Sequence, residues 1–343
     1  MVEGLRTMDK VVIPFTPIMD LHHRMARPRL RTAAEQPADR ERARLPTVAE
    51  QRATAKNWAA DPSELIGAYT DSVRQFRSYK NPKEPFLNLR RDGTPNRQRL
   101  RKPAPPPIKK TDQLVSWIRE QGGFEVDEQS ELGLGVDYVE REVSVIRTLN
   151  AKWDDGEARG SAGRALQPDL LLRTRDGTPA IGEIKVTQQG RPTKSGAPGQ
   201  PSADKDPLAA LVQALAAVAH LATLAQYQRL TTFFPEARFA EPNHSGPRLD
   251  AYLVEYNHGG IPWIQEIADN VRSISEAMTR HPEVSATLRR VVFVELFVEH
   301  DSLRSRLHWI APGPSPVGAG GKLTPLRRLK MHPRGRGRRR PRG

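Results

Sequence analysis

Residues 167–186 read QPDLLLRTRDGTPAIGEIKV, and the fold depends on how this stretch turns back on itself. Two apolar runs flank Arg175, Asp176 and Gly177, which predicts a β-hairpin. With the glycine in the left-handed position of a bulged three-residue turn, Thr174 and Thr178 close the loop and Asp169 lies directly opposite Glu183. This register puts Pro179 in the first non-hydrogen-bonded pair, where its missing N–H breaks no bond to the partner strand. A two-residue Asp-Gly loop instead sets Asp169 across from Ile184, on the face away from Glu183. The two registers make opposite predictions for the charges.

In the first register two carboxylates stand about 5 Å apart at their Cβ atoms, and like charges so placed repel. The apolar residues around them lower the local dielectric and sharpen that repulsion. A cation must therefore sit there. Lys185, two residues beyond Glu183 on the same face, offsets part of the charge, and two converging hard-oxygen ligands also suit Mg²⁺ or Mn²⁺. A divalent ion so held lowers the pKa of a bound water, which Lys185 is placed to orient towards a phosphorus atom.

Upstream, TDQLVSWIREQGG (111–123) reads as a capped helix with a glycine stop, and GVDYVEREVSVIRTLN (135–150) as a second helix with Val139, Val143, Ile146 and Leu149 along one stripe. Downstream, DPLAALVQALAAVAHLATLAQYQRL (206–230) reads as one buried Ala- and Leu-rich helix capped by Asp206. RLDAYLVEYN (248–257) and RRVVFVELFVEH (289–300) read as strands, separated by a helix whose Ile264, Ile267, Val271, Ile274 and Met278 keep helical spacing. This order predicts an α/β arrangement with a mixed sheet over residues 111–310.

Pro168-Asp169, a short turn, then Glu183-Ile184-Lys185 in a strand resembles the PD-(D/E)xK nuclease superfamily, whose fold is restriction-endonuclease-like, over roughly residues 130–300. The resemblance implies a mixed sheet flanked by helices and a Mg²⁺-dependent nuclease. Asp169 and Glu183 then bind the metal, the backbone carbonyl of Ile184 assists, and Lys185 supports the attacking water. The family often adds an acidic residue from the preceding helix. Glu142, beside the stripe of Val139, Val143 and Ile146 and leaning towards the core, is expected in that role. Glu140, at capping-box spacing from Asp137, is expected at the helix start. Related nucleases can carry a glutamine near Gln213, which shares a helix face with His220; it is expected to touch the nucleic-acid backbone or support the site, and His220 to be a partly buried histidine.

The chain has no cysteine, which excludes disulfides, thiolate zinc sites and cysteine nucleophiles. It also lacks H-E-x-x-H, a P-loop and G-x-S-x-G, so zinc-peptidase, P-loop and α/β-hydrolase chemistries have no support. No apolar run approaches the roughly 20 residues that cross a bilayer, and a cytoplasmic location is expected. The net charge of +14 is concentrated: the segments Leu89–Lys110 and Lys322–Gly343 carry +17 between them, leaving −3 for the rest. Local basic runs beside a near-neutral body predict arms that hold a polyanion by counterion release.

Nucleic acid, DNA rather than RNA, is the expected partner, with Gln213, Lys194 in the loop 187–205, and Arg338, Arg339 and Arg340 in the tail as contacts. Residues 1–110 read as a largely irregular Arg/Pro-rich arm and residues 311–343 as a disordered basic tail. Within the arm, a helix near 61–77 with Ile66, Tyr69, Val73 and Phe76 on one face is expected to dock a protein partner. The alternative to a nuclease is a non-catalytic nucleic-acid-binding subunit of a larger complex that keeps the nuclease-like fold.

Overall fold

The computed structural model describes residues 16–26, 47–77, 103, 108, 110–126, 133–143, 145, 166–186, 207–242, 246–256 and 262–313. Lys194, Arg338, Arg339 and Arg340 lie outside them, as do Ile146 and Leu149. The described chain forms helices α1 (Pro17–Ala26), α2 (Val48–Ala60), α3 (Ser63–Phe76) and α4 (Thr111–Glu120), then strands β1 (Gly123–Phe124), β2 (Val136–Arg141), β3 (Leu170–Thr174) and β4 (Pro179–Val186). Helices α5 (Pro207–Leu221) and α6 (Leu224–Phe233) lead to β5 (Leu249–Tyr256). Helix α7 (Pro262–Arg280) and the single turn α8 (Pro282–Ser285) lead to β6 (Leu288–Glu299) and β7 (Ser302–Pro312).

The seven strands make one sheet in sequence order. Pairing is antiparallel from β1 to β4, parallel through β4, β5 and β6, and antiparallel again for β6 and β7. Parallel neighbours need a crossover, which α5–α6 and α7–α8 supply. Residues alternate between two cores, as the pleat requires. Leu171, Ile181, Leu253 and Phe293 face α5, α7 and the N-terminal helices. Leu172, Ile184, Val254 and Val292 face the other side, with Leu114 and Ile118 of α4. The sheet curls until its ends meet: the Ser305 hydroxyl of β7 donates to the carbonyl of Glu125, just beyond β1, and Tyr252 OH donates to Leu134 O at 3.0 Å.

The hairpin takes the three-residue turn. Thr174 N donates to Thr178 O at 3.0 Å and Gly177 N to Thr174 O at 2.9 Å, with Gly177 at φ +85°. Arg173 pairs with Pro179 and Leu170 with Gly182, so the next step of the register sets Asp169 opposite Glu183. Asp176 pins the turn by accepting from Thr174 Oγ1 and Thr178 N at 2.5 and 3.2 Å.

Four expectations from sequence need correction. Residues 135–150 are not a helix: Val136–Arg141 is strand β2, paired on both sides, because its β-branched and aromatic residues gain more from ladder bonds and a pleated surface than from a helical stripe. Glu140 therefore caps nothing; its Oε1 accepts from Arg141 N at 3.1 Å and Tyr138 OH at 3.3 Å. The expected single helix over 206–230 is two helices bent by 94°. Thr223 supplies the new start by accepting from Gln226 N at 3.2 Å, as an N-cap does. Strand β7 extends the sheet over residues 302–312, most of which the sequence placed in the core without assigning them an element.

The fourth correction concerns the globular boundary at residue 111. Leu65, Tyr69, Val73 and Phe76 of α3 are buried in the same core as α5 and α7, and Tyr69 OH shares a 2.9 Å hydrogen bond with Thr287 Oγ1. The face read as a docking surface for another protein is thus covered by the chain's own core, and the body begins well before Thr111. Among the described residues, no single helix is long and apolar enough to cross a membrane.

His220 in α5 shows how the N-terminal helices are tied in. It is fully buried, shares a 2.9 Å hydrogen bond with Thr16 Oγ1 and meets the Phe76 ring edge-on at 4.7 Å. Burial disfavours its cation and lowers its pKa to about 4, against the pull of the Ala216 carbonyl. Unfolded, this histidine takes up a proton near pH 6.5; folded, it waits until about 4. Its contribution to stability is complete above pH 6.5 and is lost as pH falls to 4, on the order of 3 kcal/mol. Urea melts of the parent protein and His220→Leu over that range check this: the variant's stability should fall less steeply between pH 6.5 and 4.

Candidate active site

Strand β4 builds the site. Glu183 and Lys185 share a parity with Ile181 and so face α5, while Ala180, Ile184 and Val186 fill the opposite core. Asp169 enters at the start of β3, in the non-hydrogen-bonded position opposite Glu183 where side chains approach closest. Its Oδ2 accepts a 2.8 Å hydrogen bond from Ile184 N, so the backbone between Glu183 and Lys185 fixes the aspartate's orientation.

Glu183 is the anomaly. It is 0% exposed, and among the described residues neither carboxylate oxygen has a donor in full hydrogen-bond geometry, Asp169 being the polar group beside it. Burial, then the negative charge of Asp169, pushes its carboxyl well above the usual carboxylate range, with Lys185 opposing. Buried polar groups without partners are rare because each forfeits its hydration. Lys185 is 8% exposed, and its Nζ donates to Gln213 Oε1 at 3.2 Å. Gln213, the residue the sequence offered as support for the site, thus reaches it from α5.

Glu142 departs from expectation. It follows β2 in a left-handed conformation at φ +47°, its side chain exposed rather than leaning into the core. Its backbone does adjoin the site, since Glu142 N donates to Asp169 O at 3.3 Å. The reason is the backbone: β2 ends at Arg141 and the left-handed turn at Glu142 replaces the helical stripe that pointed it inward. Among the described residues no group of three His, Cys, Asp or Glu is placed to hold a metal, so the carboxylates gathered here are Asp169 and Glu183.

The sequence did not flag the row that continues from Lys185. Parallel pairing sets Lys185 beside Glu255 and Glu255 beside Glu295, and Glu295 pairs with Arg306 on β7. Glu255 is 1% exposed, and Glu295 meets Arg306 at 3.5 Å and His308 at 3.6 Å. The signal lay in the parity of LVEY, where Glu255 has the same phase as Leu253. The identity of its neighbours required knowing which strands pair. Compared with protein-family models, with curated proteins and with solved structures, the chain matches none.

Proposed function

We propose that this chain is a metal-dependent nuclease of restriction-endonuclease-like fold that hydrolyses phosphodiester bonds in nucleic acid, DNA rather than RNA, in the cytoplasm. The observation that carries this reading is the buried, unpartnered carboxylate of Glu183, set opposite Asp169 with Lys185 alongside. Such a group costs stability on its own, and costs of this kind gather where chemistry is done.

The donors fit Mg²⁺ or Mn²⁺. The carboxylates of Asp169 and Glu183, with the Ile184 carbonyl, are hard oxygens. A bound divalent ion would supply the missing counter-charge and acidify a water. The remaining work falls to the chain. Ile184 N holds Asp169 in orientation, and Gln213 holds the Lys185 ammonium, which is placed to steer the water and to stabilise charge developing on a phosphate. The basic segments, including Lys194, Arg338, Arg339 and Arg340, raise the local concentration of nucleic acid without reading its sequence.

Incubation with mixed DNA and RNA, with and without Mg²⁺ or Mn²⁺, tests this. Divalent-dependent cleavage is expected. Salt-sensitive binding with no cleavage would favour a docking subunit instead, the reading suited by the exposed side chain of Glu142 and the count of two gathered carboxylates. A second outcome concerns Glu183 alone. Glu183→Gln keeps the shape but cannot ionise, so the metal-free variant should lose less stability than the parent as pH rises, and it should also lose the rise in melting temperature that Mn²⁺ gives the parent. Scanning calorimetry across pH, with and without Mn²⁺, reads both effects.

A further inference from the structure

At the other end of the parallel strands an open cavity of about 360 Å³ is lined by Pro179, Tyr227, Pro247, Arg248, Arg289 and Pro312. Pro179 and Lys185 are six residues apart on β4, so cavity and candidate active site are separated by about 20 Å of strand. Proline and tyrosine supply much of its wall, and its charged lining is Arg248, Arg289 and Arg290 with Glu241.

Those arginines differ in one respect. Arg289 holds Asp250 through two 2.7 Å bonds and also reaches Asp176, and Arg290 joins the same Asp250 at 2.7 Å. Asp250 is fully buried, so this cluster is internally compensated. Arg248 has no such partner: among the described residues no carboxylate forms an ion pair with it, and its Nε is buried without a hydrogen bond. Glu241 stands exposed at the cavity's edge and is not paired with it either. Burial, then the neighbouring charge of Arg289, disfavours the Arg248 cation, with the charge of Asp250 opposing both. The adjoining stretches Asn243–Ser245 and Pro314–Gly343 contain no Asp or Glu that could serve.

A half-buried guanidinium whose nearby carboxylate, Asp250, is already held by Arg289 and Arg290 is left short of negative charge, and a bound anion would make that up. The planar fork of arginine matches the paired oxygens of phosphate or carboxylate, and the tetrahedral phosphate satisfies it with charge to spare. A Cβ at Gly313 would meet the Arg289 carbonyl at 2.6 Å before reaching Arg248 Nη2 at 3.2 Å, so glycine there is needed by the backbone, which donates from Gly313 N to Arg289 O at 2.8 Å. We propose that this cavity is a phosphate site, with Arg248 as its ligand and the proline and tyrosine wall accepting an apolar body attached to the phosphate. The source is either a free phosphate-bearing small molecule or the backbone of a nucleic acid. The proposal is independent of the nuclease reading.

The test compares the full-length parent with Arg248→Met and Arg248→Lys by thermal shift and calorimetric titration, using inorganic phosphate, a nucleoside 5′-monophosphate, acetate at equal ionic strength and a short oligonucleotide. Saturable stabilisation of the parent by phosphate or the monophosphate, weakened about tenfold or more in Arg248→Met, supports a free ligand. Stabilisation by the oligonucleotide alone, weakened to the same degree, supports the nucleic-acid backbone. Equal responses of parent and Arg248→Met to every probe, or a parent response to acetate as strong as to phosphate, overturn the site. Because Arg248→Met removes a half-buried charge that no carboxylate bonds directly, it should melt no lower than the parent without ligand. Should it fail to fold, Arg248→Lys decides: it keeps the charge and loses the fork, so phosphate should bind several-fold more weakly, and unchanged affinity overturns the assignment. None of these outcomes depends on cleavage, and all can be repeated in Asp169→Ala.

Discussion

Replacing Asp169 by alanine is expected to slow divalent-dependent cleavage by about a thousandfold or more, and replacing Lys185 by alanine to do the same. The two losses should arise differently. Asp169 is a proposed oxygen donor, so its removal should weaken Mn²⁺ binding as well as turnover. Lys185 is not, so Lys185→Ala should bind Mn²⁺ at least as tightly as the parent while failing in the chemical step. Gln213→Ala, which frees the Lys185 ammonium, should cost less than either, about tenfold. Single-turnover cleavage paired with metal titration separates these cases. Cleavage within tenfold of the parent in Asp169→Ala or Lys185→Ala would remove the assignment of that residue.

Phe76→Ala should cost about 3–5 kcal/mol in urea denaturation, the range for truncating an aromatic side chain in a packed core. Phe76 is 3% exposed and packs against His220, so the space left behind is bounded by α5 and cannot collapse freely. The contrast is with an appended arm, where the same change falls within about 0.5 kcal/mol. A small effect would mean that α3 rests on the body without sharing its core.

The parts of the fold legible in sequence were those written in local chemistry. Gly177 and Pro179 between them fixed the turn and its register, and the register put Asp169 opposite Glu183, because a strand pair offers only two phases. The helix over 111–120, the strands after 248 and 288, and the long helix between them followed from periodicity and their flanking signals. Residues 136–143 misled because Val139 and Val143 suit one helical face as well as they suit a strand, and only pairing with β3 decides. Strand β7 was hidden by its own bulge: Leu303, Ser305 and Leu307 alternate cleanly, but the register shifts before Trp309 and breaks the phase. The α5–α6 bend carried a fair signal in Thr223 and Gln226 at cap spacing, overridden by the uninterrupted Ala and Leu run. That α3 closes over α5, and that Glu255 stands beside Lys185, depend on contacts between distant segments that no window of sequence contains.

The meeting of β1 and β7 bears on how this chain behaves in a crowd. A strand margin with open amides and carbonyls is a template on which other polypeptides accrete, and a flat sheet of seven strands would present two. Here the first strand is only Gly123–Phe124, and Ser305 of the last reaches back to Glu125, so each margin screens the other. The curl serves as a built-in guard against fibre growth, and its seam is the place where self-association would begin.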